Sequence, residues 1–282
     1  MAFKQDLASV APNPPELAKD VRDALRDKSE LPILAMATLG VLAGVYIALG
    51  GLFSTVALAG ADGLPHGIGQ VLAGVVFTLG LVLVIIAGAE LFTGNTLMTG
   101  LLATGALSWG SMARAWAIVY AGNLAGSLLI AGLAFAADVH SAGDGAVGRV
   151  ALESAESKTA LRPATAFASG VLANMLVCLA VWISYSARTT TDKFFAVLLP
   201  IAGFVAVGLE HSVANMFLVP YGWSIRTFAG ARFWEEVALT AGNYASISVA
   251  GFLSNLVSVT LGNIVGGSAV ALAYTLAYRR NL

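Results

Sequence analysis

The sequence predicts an all-α integral membrane protein: six transmembrane helices forming an inverted repeat, with the second and fifth helices broken. Three observations predict it. Charged residues are only 11% of the 282, against about 25% in a soluble domain, too few to cover a water-facing surface. Between residues 31 and 148 the only charges are Asp62, Glu90, Arg114, Asp138 and Asp144, which leaves apolar runs of the ~20 residues a helix needs to cross the hydrocarbon. Mean hydropathy is +0.82, and the 31 glycines suit close helix packing in lipid. The same figures exclude an ordinary soluble enzyme, a disordered chain and, with Cys178 as the single cysteine, a disulfide framework. A net charge of −1 offers no basic face for nucleic acid.

Residues 1–30 read as a cytoplasmic segment carrying Lys4, Lys19, Arg22, Arg26 and Lys28 among acids. Residues 16–28, after Pro14 and Pro15, have the pattern of a short surface helix, with no apolar core that would mark a cleaved signal peptide. Residues 31–282 read as one six-helix transmembrane domain. Length places its spans at 32–58, 67–106, 112–137, 163–187, 194–228 and 246–278, because runs apolar on every side carry no periodicity. With both termini inside, ten Lys/Arg lie on the inner face and five on the outer, which favours cytoplasmic ends; the expected location is the plasma (inner) membrane. Residues 138–162, the most polar connection, are expected to cap the outer mouth. Trp116, Trp182 and Tyr221 are expected at the lipid–water interfaces.

Two passages echo each other. Gly88-Ala89-Glu90 is followed by Gly122-Asn123 and Gly126; Gly208-Leu209-Glu210 is followed by Gly262-Asn263 and Gly266. Three spans, an odd number, separate the halves (31–138 and 162–279), so equivalent helices run in opposite directions. Glu90 and Glu210 fall in mid-span, where a carboxylate costs at least ~2.5–3.5 kcal/mol. Gly88, Gly94 and Gly208 loosen the backbone there, and Thr93, Asn95, Ser212 and Asn215 supply other hydrogen bonds. Broken helices at this depth must be packed in protein or line a cavity. The two carboxylates are expected to hold loops by accepting backbone N–H groups at new helix N-termini. His211 is the one histidine away from the membrane surface, and an ionisable group at that depth is a functional candidate. Asn123 and Asn263 read as interhelical hydrogen-bonding residues, with Asn174 a candidate for the pathway. Cys178 reads as a small packing residue, and Pro200 and Pro220 as kinks.

These motifs resemble the formate/nitrite transporter family of formate, nitrite and hydrosulfide channels. The carriers are AGAELFTGNTLMTG (87–100), YAGNLAGSLL (120–129), ANMLVCLAVWISYSARTTTDK (173–193), GLEHSVANMFLVP (208–220) and NLVSVTLGNIVGG (255–267). The resemblance implies an aquaporin-like fold and a homopentamer with one pore per protomer. It implies that His211 is the central histidine, with Thr93 and Asn174 beside it and Lys158 in the outer vestibule. It also implies constrictions at Phe77, Leu81 and Phe204 on the outer side, and at Leu91 and Phe92 on the inner. Glu90 stands where some formate channels carry aspartate; Gly94 and Asn95 are nearer the nitrite type, and WISYSARTTTDK nearer the formate type.

A bare anion does not cross apolar rings, since desolvating it costs of order tens of kcal/mol by Born estimates. A neutral weak acid avoids most of that. The expected route is anion attraction by Lys158, proton transfer at His211, passage of the neutral acid, and deprotonation on the far side. The expected substrate is formate, with nitrite or hydrosulfide as alternatives in the same class. A water- or glycerol-type channel is the rival from another class, but 173–175 and 214–216 read Ala-Asn-Met rather than Asn-Pro-Ala. A haem or metal enzyme has too few ligands, so no catalytic residue, metal or cofactor is expected.

Overall fold

The computed structural model describes residues 11–279. Lys4 and Arg280, counted above for orientation, lie outside the described residues. Helix α1 (Pro14–Ser29) opens on a capping box: Asn13 Oδ1 accepts the Glu16 N–H at 3.0 Å, and the Glu16 carboxylate accepts the Asn13 N–H at 3.1 Å. Such a cap contributes about 1 kcal/mol. Ala18, Val21 and Leu25 sit at helical spacing and are buried, so α1 lies against the membrane domain rather than free on its surface.

Five helices are long and apolar enough to cross a membrane. They are α2 (Ile33–Leu58), α3 (His66–Ala87), α6 (Trp109–Ala136), α8 (Pro163–Ser184) and α12 (Val249–Ala277). Among the remaining described helices, α4 (Phe92–Asn95) and α5 (Thr99–Ala103) follow α3; α7 (Ala146–Thr159) lies between α6 and α8; α9 (Thr190–Ala206) and α10 (Ser212–Phe228) run end to end; and α11 (Ala231–Val237) precedes α12. Large apolar side chains face outward, with Leu34 at 79%, Leu199 at 77% and Leu276 at 72% exposure. Such a surface suits lipid or contact with another protein rather than water.

The chain breaks at two places. Gly88 closes α3 with φ +82°, and Gly208 follows α9 with φ +74°, a left-handed backbone that side chains rarely adopt. In both cases the next helix resumes about four residues later, at Phe92 and at Ser212. Helix α2 packs on α3 and α6 as α8 packs on α9 and α12, and α3 packs on α9 across the middle, bringing the two breaks together. Helix α7 lies over α10.

The aromatics differ from expectation. Tyr221 is fully buried and stacks on Phe217 with centroids 5.4 Å apart, and the buried Trp182 stacks on Tyr274 at 4.2 Å. The Trp116 indole N–H donates to the Asn95 carbonyl at 2.9 Å. Tyr221 and Trp182 therefore pack inside the bundle rather than facing lipid, and the half-buried Trp116 supports the first broken segment through its indole N–H; the buried Tyr221 hydroxyl has no hydrogen-bond partner among the described residues.

Candidate functional site

The two breaks are held by the same set of bonds. Asn123 in α6 accepts the Phe92 N–H at 2.9 Å and donates to the carbonyls of Gly40 (2.7 Å) and Glu90 (2.9 Å). Asn263 in α12 accepts the Ser212 N–H at 2.9 Å and donates to the carbonyls of Gly170 (2.8 Å) and Glu210 (3.1 Å). Each asparagine thus satisfies an orphan donor of a resuming helix and one carbonyl freed by the break, and ties both to a carbonyl of a neighbouring unbroken helix, Gly40 in α2 or Gly170 in α8, which lets the interruption persist without water.

The glutamates act differently from expectation. Glu90 accepts Lys28 Nζ at 2.8 Å on Oε1 and Asn95 Nδ2 at 2.9 Å on Oε2. Glu210 accepts Lys158 Nζ at 2.7 Å on Oε1, with Asn215 Nδ2 at 2.6 Å and Asn255 Nδ2 at 3.1 Å on Oε2. With Asn123 and Asn263 already on the helix N-termini, the carboxylates turn to side-chain donors, chief among them a lysine. Such charge-assisted bonds are the strong kind, and a buried carboxylate needs them. Burial works to lower the Lys28 pKa, but the Glu90 charge, Tyr185 and the hydrogen bond to Glu90 together outweigh it, so the net shift is upward and the ammonium stays charged.

Lys28, Asn255 and Thr96 carry parts of the site that sequence reasoning missed. A signal for Lys28 was present: Lys28-Ser29-Glu30-Leu31-Pro32 matches Lys158-Thr159-Ala160-Leu161 ahead of Pro163. In both places the lysine ends a short helix just before a long one starts.

Where the two halves stop matching, polar chemistry is concentrated. His211 follows Glu210 as Leu91 follows Glu90. His211 is buried and N-caps α10: its Nδ1 accepts the Ala214 N–H at 3.1 Å. That nitrogen is therefore unprotonated, and the neutral ring carries its proton on Nε2, 2.8 Å from Thr93 Oγ1. Thr93 thus accepts from the ring and has its own hydroxyl proton to donate. The Thr93 carbonyl is fixed in turn by Thr96 Oγ1 (2.6 Å), Asn174 Nδ2 (3.2 Å) and the Cys178 thiol (3.4 Å). Asn174 Nδ2 also donates to the Asn263 carbonyl at 2.6 Å, while its Oδ1 is buried without a partner. In the first half a glycine, Gly44, stands against Asn123, so close that a Cβ would collide with that carbonyl.

Two cavities approach this point from opposite faces. The one on the α7 face, about 330 Å³, is lined by Lys158, Glu210, His211, Phe77 and Phe204 among others. The one on the α1 face, about 440 Å³, is lined by Lys28, Glu90, Leu91, Tyr185 and Lys193 among others. Phe77 and Phe204 meet edge to face at 5.5 Å, and Phe204 lies 5.8 Å from the His211 ring. Leu81 is buried in the core. Phe92 turns from the cavities onto Tyr120 (4.8 Å) and Trp116 (5.8 Å). Among the described residues, no group of three or more His, Cys, Asp or Glu is placed to hold a metal ion.

Known proteins share this architecture. Residues 15–277 match the formate/nitrite transporter family profile. The formate channel FocA of Escherichia coli strain K12 is 39% identical over 269 residues, 95% of this chain and 94% of that one. A probable formate transporter of Methanothermobacter thermautotrophicus is 36% identical over 94% of this chain and 97% of its own. Among solved structures, a pentameric formate channel with formate bound superposes with a TM-score of 0.84 at 40% identity, covering 88% of this chain and 98% of that one.

Proposed function

Because the chain belongs to the formate/nitrite transporter family, we propose that it is a transmembrane channel for small monovalent weak-acid anions, formate foremost, each transiently protonated beside His211. The reading adopts six spans, with residues 190–228 crossing as one broken helix, and an inverted aquaporin-like repeat. It also adopts a homopentamer in the plasma (inner) membrane with both termini, and hence the α1 face, in the cytoplasm. The matched Asn123 and Asn263 bonds and the matched lysine–glutamate pairs support the repeat, and the relatives' formate channels support the substrate class.

The observation that carries the reading is His211 on the wall of the Lys158 cavity, hydrogen-bonded through Nε2 to Thr93. Lys158 attracts the anion, which reaches the ring between Phe77 and Phe204. A lone charged imidazole is costly at that depth. To charge, Nδ1 must also give up the Ala214 N–H. The imidazolium therefore forms only while the anion sits beside it. The proton that charges the ring comes from cavity water and enters at Nδ1; the Nε2 proton passes to the anion through the Thr93 hydroxyl, and the cap re-forms once the ring has released the Nδ1 proton to water and recovered one on Nε2. The neutral acid crosses the apolar stretch near Leu81 and Leu91 and loses its proton in the Lys28 cavity. Glu90 and Glu210 hold the loops and the lysines and carry no proton.

Stopped-flow flux in proteoliposomes, comparing formate, nitrite, hydrosulfide, chloride and glycerol at two pH values, tests this function. The expected result is formate flux that rises at the lower pH, with chloride slow because its conjugate acid is too strong. Fast glycerol with slow formate would instead identify a neutral-solute channel, and faster nitrite or hydrosulfide would reassign the substrate within the class.

A further inference from the structure

We infer that Lys193 is an anion-collecting residue of the α1-face cavity, and that it makes the channel half-saturate at a lower anion concentration from that face. This rests on the transport reading above. Each cavity contains a lysine already committed to a carboxylate: Lys28 to Glu90 at 2.8 Å, and Lys158 to Glu210 at 2.7 Å. Within each cavity these charges cancel at a distance. What remains differs between the faces.

On the α1 face, the remaining charge is Lys193, a half-buried residue in the first turn of α9 that lines the cavity with Lys28 and Tyr185. Among the described residues, no carboxylate lies within ion-pair distance of its ammonium. The adjacent Asp192 is engaged elsewhere, accepting the N–H groups of Thr189 and Arg188 as the cap of α9. The partial positive end of α9 adds to the same field. On the α7 face, the other charged lining residue is Glu153, ion-paired with Arg149 at 3.9 Å, and the one lysine of that lining, Lys158, is already bound to Glu210. The spacing that relates Glu90 to Glu210 relates Lys193 to Ala73, which is buried and apolar, so Lys193 has no counterpart on the other face.

One cavity is therefore lined by two lysines and a glutamate, and the other by one lysine and two glutamates. A cleft with low-dielectric walls focuses such a difference into local ion concentration. Lys193 leaves the equilibrium across the membrane unchanged. It sets the concentration at which flux from its own face saturates.

The test compares the parent, Lys193→Gln and Lys193→Arg in membrane vesicles of both orientations, reading initial formate flux against concentration on each face at low and high salt. Lys193→Gln is expected to raise the half-saturating formate about two- to threefold on the α1 face at low salt, the weight of one unit charge roughly 6–10 Å away across water. That shift should vanish at about 1 M salt, where the screening length is ~3 Å. Lys193→Arg should keep the parental value, and the α7-face value should hold in both variants. The inference is overturned if Lys193→Gln matches the parent at low salt while keeping its oligomeric size. It is also overturned if the shift survives high salt or is shared by Lys193→Arg. A parent that moves no formate from either face is a separate result and overturns the transport reading itself.

Discussion

His211 is held at both ring nitrogens, Nδ1 by its own helix and Nε2 by a threonine from the other half of the molecule. The first bond fixes the tautomer, and the second turns the protonated nitrogen toward the site. At the neighbouring pair, Lys158 neutralises Glu210, and the proposed function gives it a second, separable role, drawing in the anion. Lys158→Ala leaves a buried carboxylate unpaired, which is expected to cost about 3–5 kcal/mol of stability and to raise the half-saturating formate on the α7 face. Adding Glu210→Gln should recover most of the stability and none of the affinity, checked by thermal unfolding in detergent and by flux. Recovery of both would confine Lys158 to a structural role. A third residue acts on stability alone. His140, in the turn between α6 and α7, is buried between Phe135 and Phe233, with centroids at 4.9 and 5.3 Å. Burial lowers its pKa, and Asp138 at 3.4 Å offsets only part of that. Unfolding lets the ring take up a proton that the fold resists, so stability is full above the ordinary histidine value of about 6.5 and declines as the pH falls below it. The unfolding midpoint should drop between pH 7.5 and 5; a flat or rising midpoint contradicts this assignment.

At the scale of elements, α1 and α7 do the same work on opposite faces. Each is a short capped or packed helix that ends on a lysine and delivers it to a glutamate beside a helix break. Lys28→Ala should therefore destabilise the first break as Lys158→Ala does the second, by about 3–5 kcal/mol, visible as a lowered unfolding midpoint that Glu90→Gln restores. A midpoint unchanged in Lys28→Ala would mean that α1 is held by its apolar face alone. Sequence made the long helices and both breaks legible, because hydrocarbon thickness sets span length and Gly-x-Glu in an apolar run has few other readings. It also pointed to His211. The Lys28 partnership stayed hidden because 62 residues separate it from Glu90 and no periodicity links a surface helix to a span. The glutamates' partners were misjudged for a related reason. Nothing local says that Asn123 and Asn263, from later helices, already occupy the helix N-termini. Tyr221 and Trp182 were misplaced because aromatic composition cannot separate a ring inside the bundle from one at its rim.

For the whole molecule, the two sets of matching bonds act, under the proposed function, as a frame, and the residues in which they differ as the source of the chemistry. Lysine, glutamate and asparagine recur in both halves and satisfy the breaks. His211 against Leu91 and Asn174 against Gly44 do not recur, and these meet at Thr93 between the two cavities. The outward apolar surface adds no selectivity and places the frame in lipid. The central claim is that an anion crosses only by becoming neutral at this one asymmetric point. It is tested most directly by recording formate uptake and internal pH together in proteoliposomes of the parent and of His211→Phe. The account predicts that the parent carries about one proton with each formate, faster at acidic pH, and that His211→Phe loses this proton-linked uptake. Undiminished, pH-dependent formate uptake with its proton in His211→Phe would contradict it.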